Sequence, residues 1–269
     1  MFNHVTGDHR REFQNLVSKA VEVINEEKEE KRRKKRRKKP KRFPKLPKRL
    51  IVLENQDKKF HEKWYEGRDP LDFPHPFRMM FCAKPHCGKT NCIKNIIMRA
   101  AQGRKPFAKI VVIHCDPDST NEYNDVDSEL FHHIPHVQDI KGDEKTLVIL
   151  EDLAYIDMPK EERSRLERLF GYVSTHKNIS CMLTGQDIFR VIPTVRRCAN
   201  VFVLWKSHDM DMIRTVSRKT GFKTHVLENM MNELCISNHD SIWIDNTDNS
   251  PYPVRTNGYT PVDITKYDY

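Results

Sequence analysis

No apolar run in the 269 residues approaches the ~20 that a bilayer crossing needs, so no membrane span is expected. The N-terminal stretch has no signal-peptide h-region either, and the expectation is a chain that takes no secretory route. Its seven cysteines (82, 87, 92, 115, 181, 198 and 235) include no C-x-x-C pair, and their number is odd. That suits reduced thiols in a cytosol or nucleus better than a disulfide framework. The spacing of five between Cys82, Cys87 and Cys92 does not fit a zinc knuckle. His132, His133 and His136 in FHHIPH lack a carboxylate or thiol to complete a ligand set, so they read as loop or surface residues. No internal repeat and no Gly/Ser linker interrupts residues 50–269, which predicts a single domain there with one sizeable core.

What is abundant is positive charge, and it is concentrated. The net charge is +9, yet residues 28–49 hold fifteen Lys and Arg against Glu29 and Glu30, a local +13 that leaves the rest of the chain at −4. The nine consecutive basic residues Lys31, Arg32, Arg33, Lys34, Lys35, Arg36, Arg37, Lys38 and Lys39 exceed ordinary surface decoration. They read as a polyanion-binding arm that contacts DNA phosphates, or as a nuclear-import signal. With so much like charge, residues 28–49 are expected to be a disordered tether. Before them, Phe13, Leu16, Val17, Ala20 and Ile24 recur at three- and four-residue spacing, which predicts an amphipathic helix within residues 1–27. Such a helix would pack on its own core or dock on a partner.

From about Leu50, short apolar runs alternate with helical stretches. The runs are FRMMF (77–81), KIVVIH (109–114), TLVILE (146–151), NISCMLT (178–184) and NVFVLWK (200–206), with helices over about 89–102 and 160–173. Continuous apolar strands alternating with helices predict an α/β fold, a parallel sheet with helices on both faces. Residues 207–235 read as helical, and SIWID (241–245) opens a turn-rich tail that would hold a final hairpin.

The chemistry-bearing stretch is FCAKPHCGKTNCIK (81–94). A buried strand precedes it and a helix follows, the arrangement a phosphate-binding loop requires. Residues Ala83, Lys84, Pro85, His86, Cys87, Gly88, Lys89, Thr90 and Asn91 would form that loop. Backbone amides of residues 87–90 would meet phosphate at the helix N-terminus. Gly88 allows close approach, Lys89 reaches the β- and γ-phosphates of ATP, and Thr90 ligates Mg²⁺. Pro85 has no N–H to give, and Ala83 in place of a glycine is tolerable at negative φ. Cys87 sets a thiol beside the phosphates, where oxidation would act.

A nucleotide-hydrolysing site also needs a carboxylate at the end of a neighbouring strand, and LVILED provides Glu151 and Asp152. Glu151 is placed to hold Mg²⁺ through water and Asp152 to polarise the attacking water; the two roles could be exchanged. Gln186, after the strand ending in Gly185, would report the γ-phosphate or orient water. Arg190, Arg196 and Arg197 could stabilise transition-state charge on ATP held by a neighbouring subunit, form surface ion pairs, or contact DNA phosphates.

Over about residues 75–206, the order and character of AKPHCGKTNCIKNII, KIVVIHCDP, LVILEDL, STHKNISCMLTGQDIF and IPTVRRCANVFVLWK resemble the FtsK/HerA superfamily of DNA-translocating ATPases. The likeness is to the poxvirus-type genome-packaging ATPases of large DNA viruses and Polinton-like elements. It implies a RecA/ASCE-like P-loop fold and a DNA-stimulated ATPase using ATP and Mg²⁺ in a homo-oligomeric ring, a pentamer or hexamer. The ring would move double-stranded DNA into a preformed capsid, meet capsid or vertex proteins, and work in the nucleus or viral factory of an infected cell or with the virion. By position it makes Gln186 the polar sensor and Arg196, or its neighbour Arg197, the inter-subunit arginine. Ala83 departs from the family's usual first glycine, and Glu-Asp stands where Asp-Asp or Asp-Glu is more typical, so the division of labour between 151 and 152 stays open. The first 50 and last 50 or so residues carry no resemblance. Rival readings are a translocase or helicase of replication or conjugation and a nucleotide-binding assembly protein without turnover; a small-molecule kinase is disfavoured because no lid segment is apparent.

Overall fold

The computed structural model describes residues 8–37, 73, 75–101, 107–114, 121–140, 145–153, 155, 157–247 and 250–267. Two units divide the chain, Met1–Asn55 and Gln56–Tyr269.

Among the described residues the first unit shows the helix α1 (Asp8–Arg37), of 30 residues, about 45 Å long at 1.5 Å per residue. Val17, Val21, Val23 and Ile24 on it are about half exposed. The helix continues past residue 27 through the first part of the stretch expected to be a disordered tether. Lys and Arg are good helix formers, and the basic run fills the C-terminal turns, where cations complement the helix dipole. Glu27 adds a pairing to Lys31, one turn on, at 3.8 Å. Residues 38–49, the remainder of that stretch, lie outside the described residues.

The second unit is built on a nine-stranded sheet in the order β3-β2-β4-β5-β1-β6-β7-β8-β9. The strands are β1 (Arg78–Cys82), β2 (Lys109–His114), β3 (Glu129–Phe131), β4 (Thr146–Glu151), β5 (Ile179–Gly185), β6 (Val201–Trp205), β7 (Ser241–Asp245), β8 (Val254–Thr256) and β9 (Thr260–Pro261). The six strands from β3 to β6 in that order are parallel, and β7, β8 and β9 add on antiparallel. All residues of β4, β5 and β6 are buried, the pattern of strands covered on both faces.

Because side chains alternate along a strand, the sheet feeds two cores. Met79, Phe81, Val112, Leu147, Ile149, Met182, Val203 and Trp243 point to one face and pack with Ile93, Ile96 and Ile97. Those isoleucines belong to α2 (Lys89–Ala101), the helix that follows the suspected phosphate loop. Met80, Cys82, Val111, Ile113, Val148, Leu150, Leu183 and Phe202 point to the other face. That face is covered by α3 (Lys160–Arg168) with its π-helical continuation Leu169–Val173, by α4 (Pro193–Cys198), and by α5 (Met210–Thr220) and α6 (Thr224–Leu234). Helices on both faces are therefore observed, as expected.

The helical stretch expected over residues 207–235 is two helices. Asp209 caps α5 by accepting from the amides of Asp211 and Met212, and Gly221 at φ 79° ends it, a left-handed position that suits glycine. The expected final hairpin is β8–β9. Strand β3 went unforeseen because it is three residues at a sheet edge, two of them exposed. The antiparallel end is locked from within: Arg255, fully buried, donates to Asp245 Oδ2 at 3.1 Å and to the carbonyl of Tyr252 at 3.2 Å, and lies 4.4 Å over the Phe73 ring.

Candidate nucleotide-binding site

The loop leaves β1 at Cys82 and enters α2 at Lys89. It is tied at its start, where Ala83 N donates to Gly185 O at 3.1 Å. The loop residues at positive φ are His86 (62°) and Gly88 (93°). Ala83 is not among them, so an alanine there is unstrained. Lys89 is buried, and its ammonium donates to the carbonyls of Ala83 and Lys84, each at 3.2 Å, spanning the loop. An ammonium has three donors, so one remains for a phosphate. The first amides of α2 have no intrahelical acceptor, which makes this end of the helix an anion site.

Strand β4 brings Glu151 to the same edge. Thr90 Oγ1 donates to Glu151 Oε1 at 2.6 Å, and the Tyr123 hydroxyl donates to Glu151 Oε2. Burial pushes the Glu151 carboxyl above the ordinary carboxylate range, while the hydrogen bonds from Thr90 and Tyr123 hold it down. The Tyr123 hydroxyl is itself raised, by burial first and by Glu151 next. Glu122 Oε2 lies 3.1 Å from the same Thr90 hydroxyl. One hydroxyl proton cannot serve two carboxylates at once, so Thr90 Oγ1, Glu151 and Glu122 form a set of hard oxygen donors with excess negative charge. That set fits Mg²⁺.

Asp152, one residue on, is exposed and left-handed at φ 42°, and its amide donates to Thr184 Oγ1 at 2.9 Å. Asp152 directly follows the last residue of β4, so it stands at that strand's C-terminal end. Strand β5, carrying Thr184, lies between β1 and β4. Gln186 follows it at once and is exposed on the same edge. A loop lysine, a neighbouring-strand acid and one intervening strand thus share the C-terminal edge of a parallel sheet. A strand–loop–helix unit at the C-terminal edge of a parallel sheet is the arrangement of a P-loop α/β fold.

Several solved structures resemble the chain at low identity. The DNA-packaging ATPase B204 from Sulfolobus Turreted Icosahedral Virus is 14% identical, with 69% of this chain and 97% of that chain covered at a TM-score of 0.49. The genome packaging NTPase B204 from Sulfolobus turreted icosahedral virus 2, in complex with AMPPCP, is 14% identical, covering 72% and 100% at 0.49. The pCW3 conjugation coupling protein TcpA is 12% identical, covering 70% and 62% at 0.43. No protein-family model matches the sequence, and no curated protein matches it.

The arginines divide. Arg190 is exposed, 4.0 Å from Asp187. Arg197 is exposed, whereas Arg196 is half-buried, 5.7 Å over the Phe189 ring, with a buried Nε that has no hydrogen-bond partner among the described residues. Burial pushes the Cys82 thiol up to about 12, an effect opposed by the charges of Lys89 and Arg196.

Other candidates fall elsewhere. Lys31 is exposed on α1, in the other unit; the side chains of Arg32 to Arg37 and the whole of Lys38 and Lys39 lie outside the described residues. His132 contacts the carbonyl of His114 at 3.1 Å and His136 accepts from Arg165 at 3.0 Å. Among the described residues no group of three or more His, Cys, Asp or Glu could hold a metal ion, and the Mg²⁺ fit rests on Thr90 with its two glutamates. The cysteines described are free thiols, with Cys82, Cys181 and Cys235 buried and Cys87 half-buried in the loop. Sequence reasoning missed Glu122, Tyr123, Thr184 and His239, the last of which meets the loop at Cys87. Glu122 and Tyr123 had a usable signal, since they follow β2, whose C-terminal end must lie on the ligand-binding edge.

Proposed function

We propose that the chain is a Mg²⁺-dependent, DNA-stimulated ATPase that translocates double-stranded DNA and packages a viral genome into a preformed capsid. The observation that carries the ATPase part is the 2.6 Å bond from Thr90 to Glu151, which joins the start of the phosphate-loop helix to the acidic strand across β5. In this reading Lys89 and the amides of residues 87–90 bind the β- and γ-phosphates of ATP. Thr90 and Glu151 would hold Mg²⁺, with Glu122 at their flank. When bound, Mg²⁺ supplies neutralisation of the phosphate charge. Asp152 takes the proton of the attacking water, with its carboxylate outside the sheet and its backbone fixed by Thr184. Gln186 orients that water. Arg196, or its neighbour Arg197, stabilises the transition state on a neighbouring subunit's ATP in a homo-oligomeric ring, which couples firing around the ring.

The translocase part is supported by the order of the five sequence segments. Loops lining a central channel would push on phosphates and leave base edges unread, so sequence specificity would be low. The basic residues 31–39 would hold DNA near the pore, and capsid or vertex proteins would receive the ring in an infected cell. The test is hydrolysis with and without double-stranded DNA, together with particle mass. Hydrolysis that rises with DNA in a multi-subunit particle is expected; a chain that binds ATP without turnover in either condition would favour a non-hydrolysing assembly protein. Deleting residues 28–49 should flatten the salt dependence of DNA binding by about 0.9 in log–log slope per lost phosphate contact. An unchanged slope would assign the segment to import or docking.

A further inference from the structure

The phosphate loop is touched by a residue from the antiparallel end of the sheet. His239 lies in the turn between α6 and β7, and its Nδ1 donates to Cys87 O at 3.4 Å. A Cβ placed on Gly88 would stand 3.7 Å from that same nitrogen, so the imidazole sits over the bare Cα of the loop's glycine. A carbonyl can only accept, which fixes the proton on Nδ1 in this contact.

The turn that presents His239 is held from several sides. The Asp240 carboxylate accepts from the amides of Ile236 at 3.1 Å and Ser237 at 2.7 Å, and from Asn257 Nδ2 at 3.1 Å. Asn257 Oδ1 accepts from Ser241 N at 2.9 Å, and the Asn257 amide donates to Ser241 O at 2.9 Å. Asn257 itself begins the β8–β9 turn at φ 50°. The hairpin therefore braces the turn, and the turn sets an imidazole on the loop apex.

We propose that His239 is a nucleotide-contacting residue, moving its Nδ1–H from the Cys87 carbonyl to a phosphate oxygen when nucleotide binds. This rests on the reading of the loop as a nucleotide site. At 3.4 Å the bond to Cys87 is long and weak. A phosphate received by the amides of residues 87–90 is a charged acceptor beside the same donor, and charge-assisted bonds are shorter and about twice as strong. Nucleotide occupancy is thereby felt by β7, β8 and β9, which supply no other group to the site among the described contacts.

The test is calorimetric titration of ADP and of a non-hydrolysable ATP analogue into the full chain. His239→Ala should weaken binding of both about 10-fold, the lower end for one hydrogen bond to a charged group. His239→Gln, whose amide can donate from a similar place, should recover most of the loss, and KM should rise more than kcat falls. His239 is exposed, so thermal unfolding should not change, which separates contact from folding. Unchanged or tighter binding in His239→Ala, while Lys89→Ala loses nucleotide, overturns this proposal alone. Equal loss in the Ala and Gln variants overturns the donor role. A wild-type chain that binds no nucleotide overturns the nucleotide-site reading and this one with it.

Discussion

The parallel and antiparallel parts of the sheet handle polar residues in opposite ways. In the parallel part every strand ends on the same edge, so Lys89, Glu151, Asp152 and Gln186 collect there as a consequence of topology. Lys89 is held by the loop carbonyls of Ala83 and Lys84, Asp152 and Gln186 are exposed, and the buried Glu151 has its carboxyl raised by that burial. In the antiparallel part successive strands end on opposite edges, and the strongest polar cluster is internal. There Asp245 accepts from Arg255 at 3.1 Å, Ser250 Oγ at 2.8 Å, Thr247 Oγ1 at 2.5 Å and Thr247 N at 3.1 Å. Charge in the first part is left available for a ligand, and in the second it is consumed by the fold.

Substitutions should separate the two parts accordingly. Asp245→Ala removes the ion-pair carboxylate of a fully buried guanidinium and should cost about 3–5 kcal/mol of stability, read by denaturant unfolding. Replacing both partners, Asp245→Leu with Arg255→Met, should cost clearly less; an equal loss would show that the pair does more than fill the core. Lys89→Ala should leave unfolding nearly unchanged and reduce hydrolysis about 10²–10³-fold, the scale seen when a transition-state electrostatic partner is removed. Full hydrolysis in that variant would break the contrast.

Tyr123→Phe is a finer probe. The Tyr123 hydroxyl holds the Glu151 carboxyl down against its burial, so its removal should raise that carboxyl further. The acid limb of the pH–rate profile should then move to higher pH, because a protonated Glu151 cannot serve the cation; a stationary limb would remove Tyr123 from the site. The sign for stability is opposite. Glu151 is raised in the fold, so the nucleotide-free chain should lose the stability it draws from protonated Glu151 as pH rises through that raised value. The smallest expected effect is Gly221→Ala. Nothing lies within 4 Å of the added Cβ, and φ is 79°, so the cost should be the left-handed conformation alone, about 1 kcal/mol, measured as a shift in the unfolding midpoint.

The parallel part was largely legible before folding was considered. KIVVIH and TLVILE begin and end where β2 and β4 do, as SIWID does for the antiparallel β7, since unbroken apolar runs bounded by polar residues leave little choice of register. The helix expected over about 89–102 is observed as Lys89–Ala101. The short edge strand β3 and helix α4 carry too few residues for periodicity to mark. The extent of α1 was misjudged because like charge was weighed above helix propensity and the favourable helix C-terminus.

The site shows the same division. Lys89, Thr90, Glu151, Asp152 and Gln186 could be nominated as candidates because each is tied to a local pattern, a strand end or a loop-to-helix junction. Glu122 meets Thr90 across 32 positions and His239 meets Cys87 across 152. No period or motif spans such distances, and their meeting depends on which strands lie side by side. The sequence alone determined the alternation of strands and helices and the candidate phosphate loop between β1 and α2, because those follow from contacts among near neighbours in the chain. The second carboxylate at Thr90, the imidazole over Gly88 and the buried Arg255–Asp245 pair were decided by tertiary structure, because strand order and burial set which distant polar groups must satisfy one another.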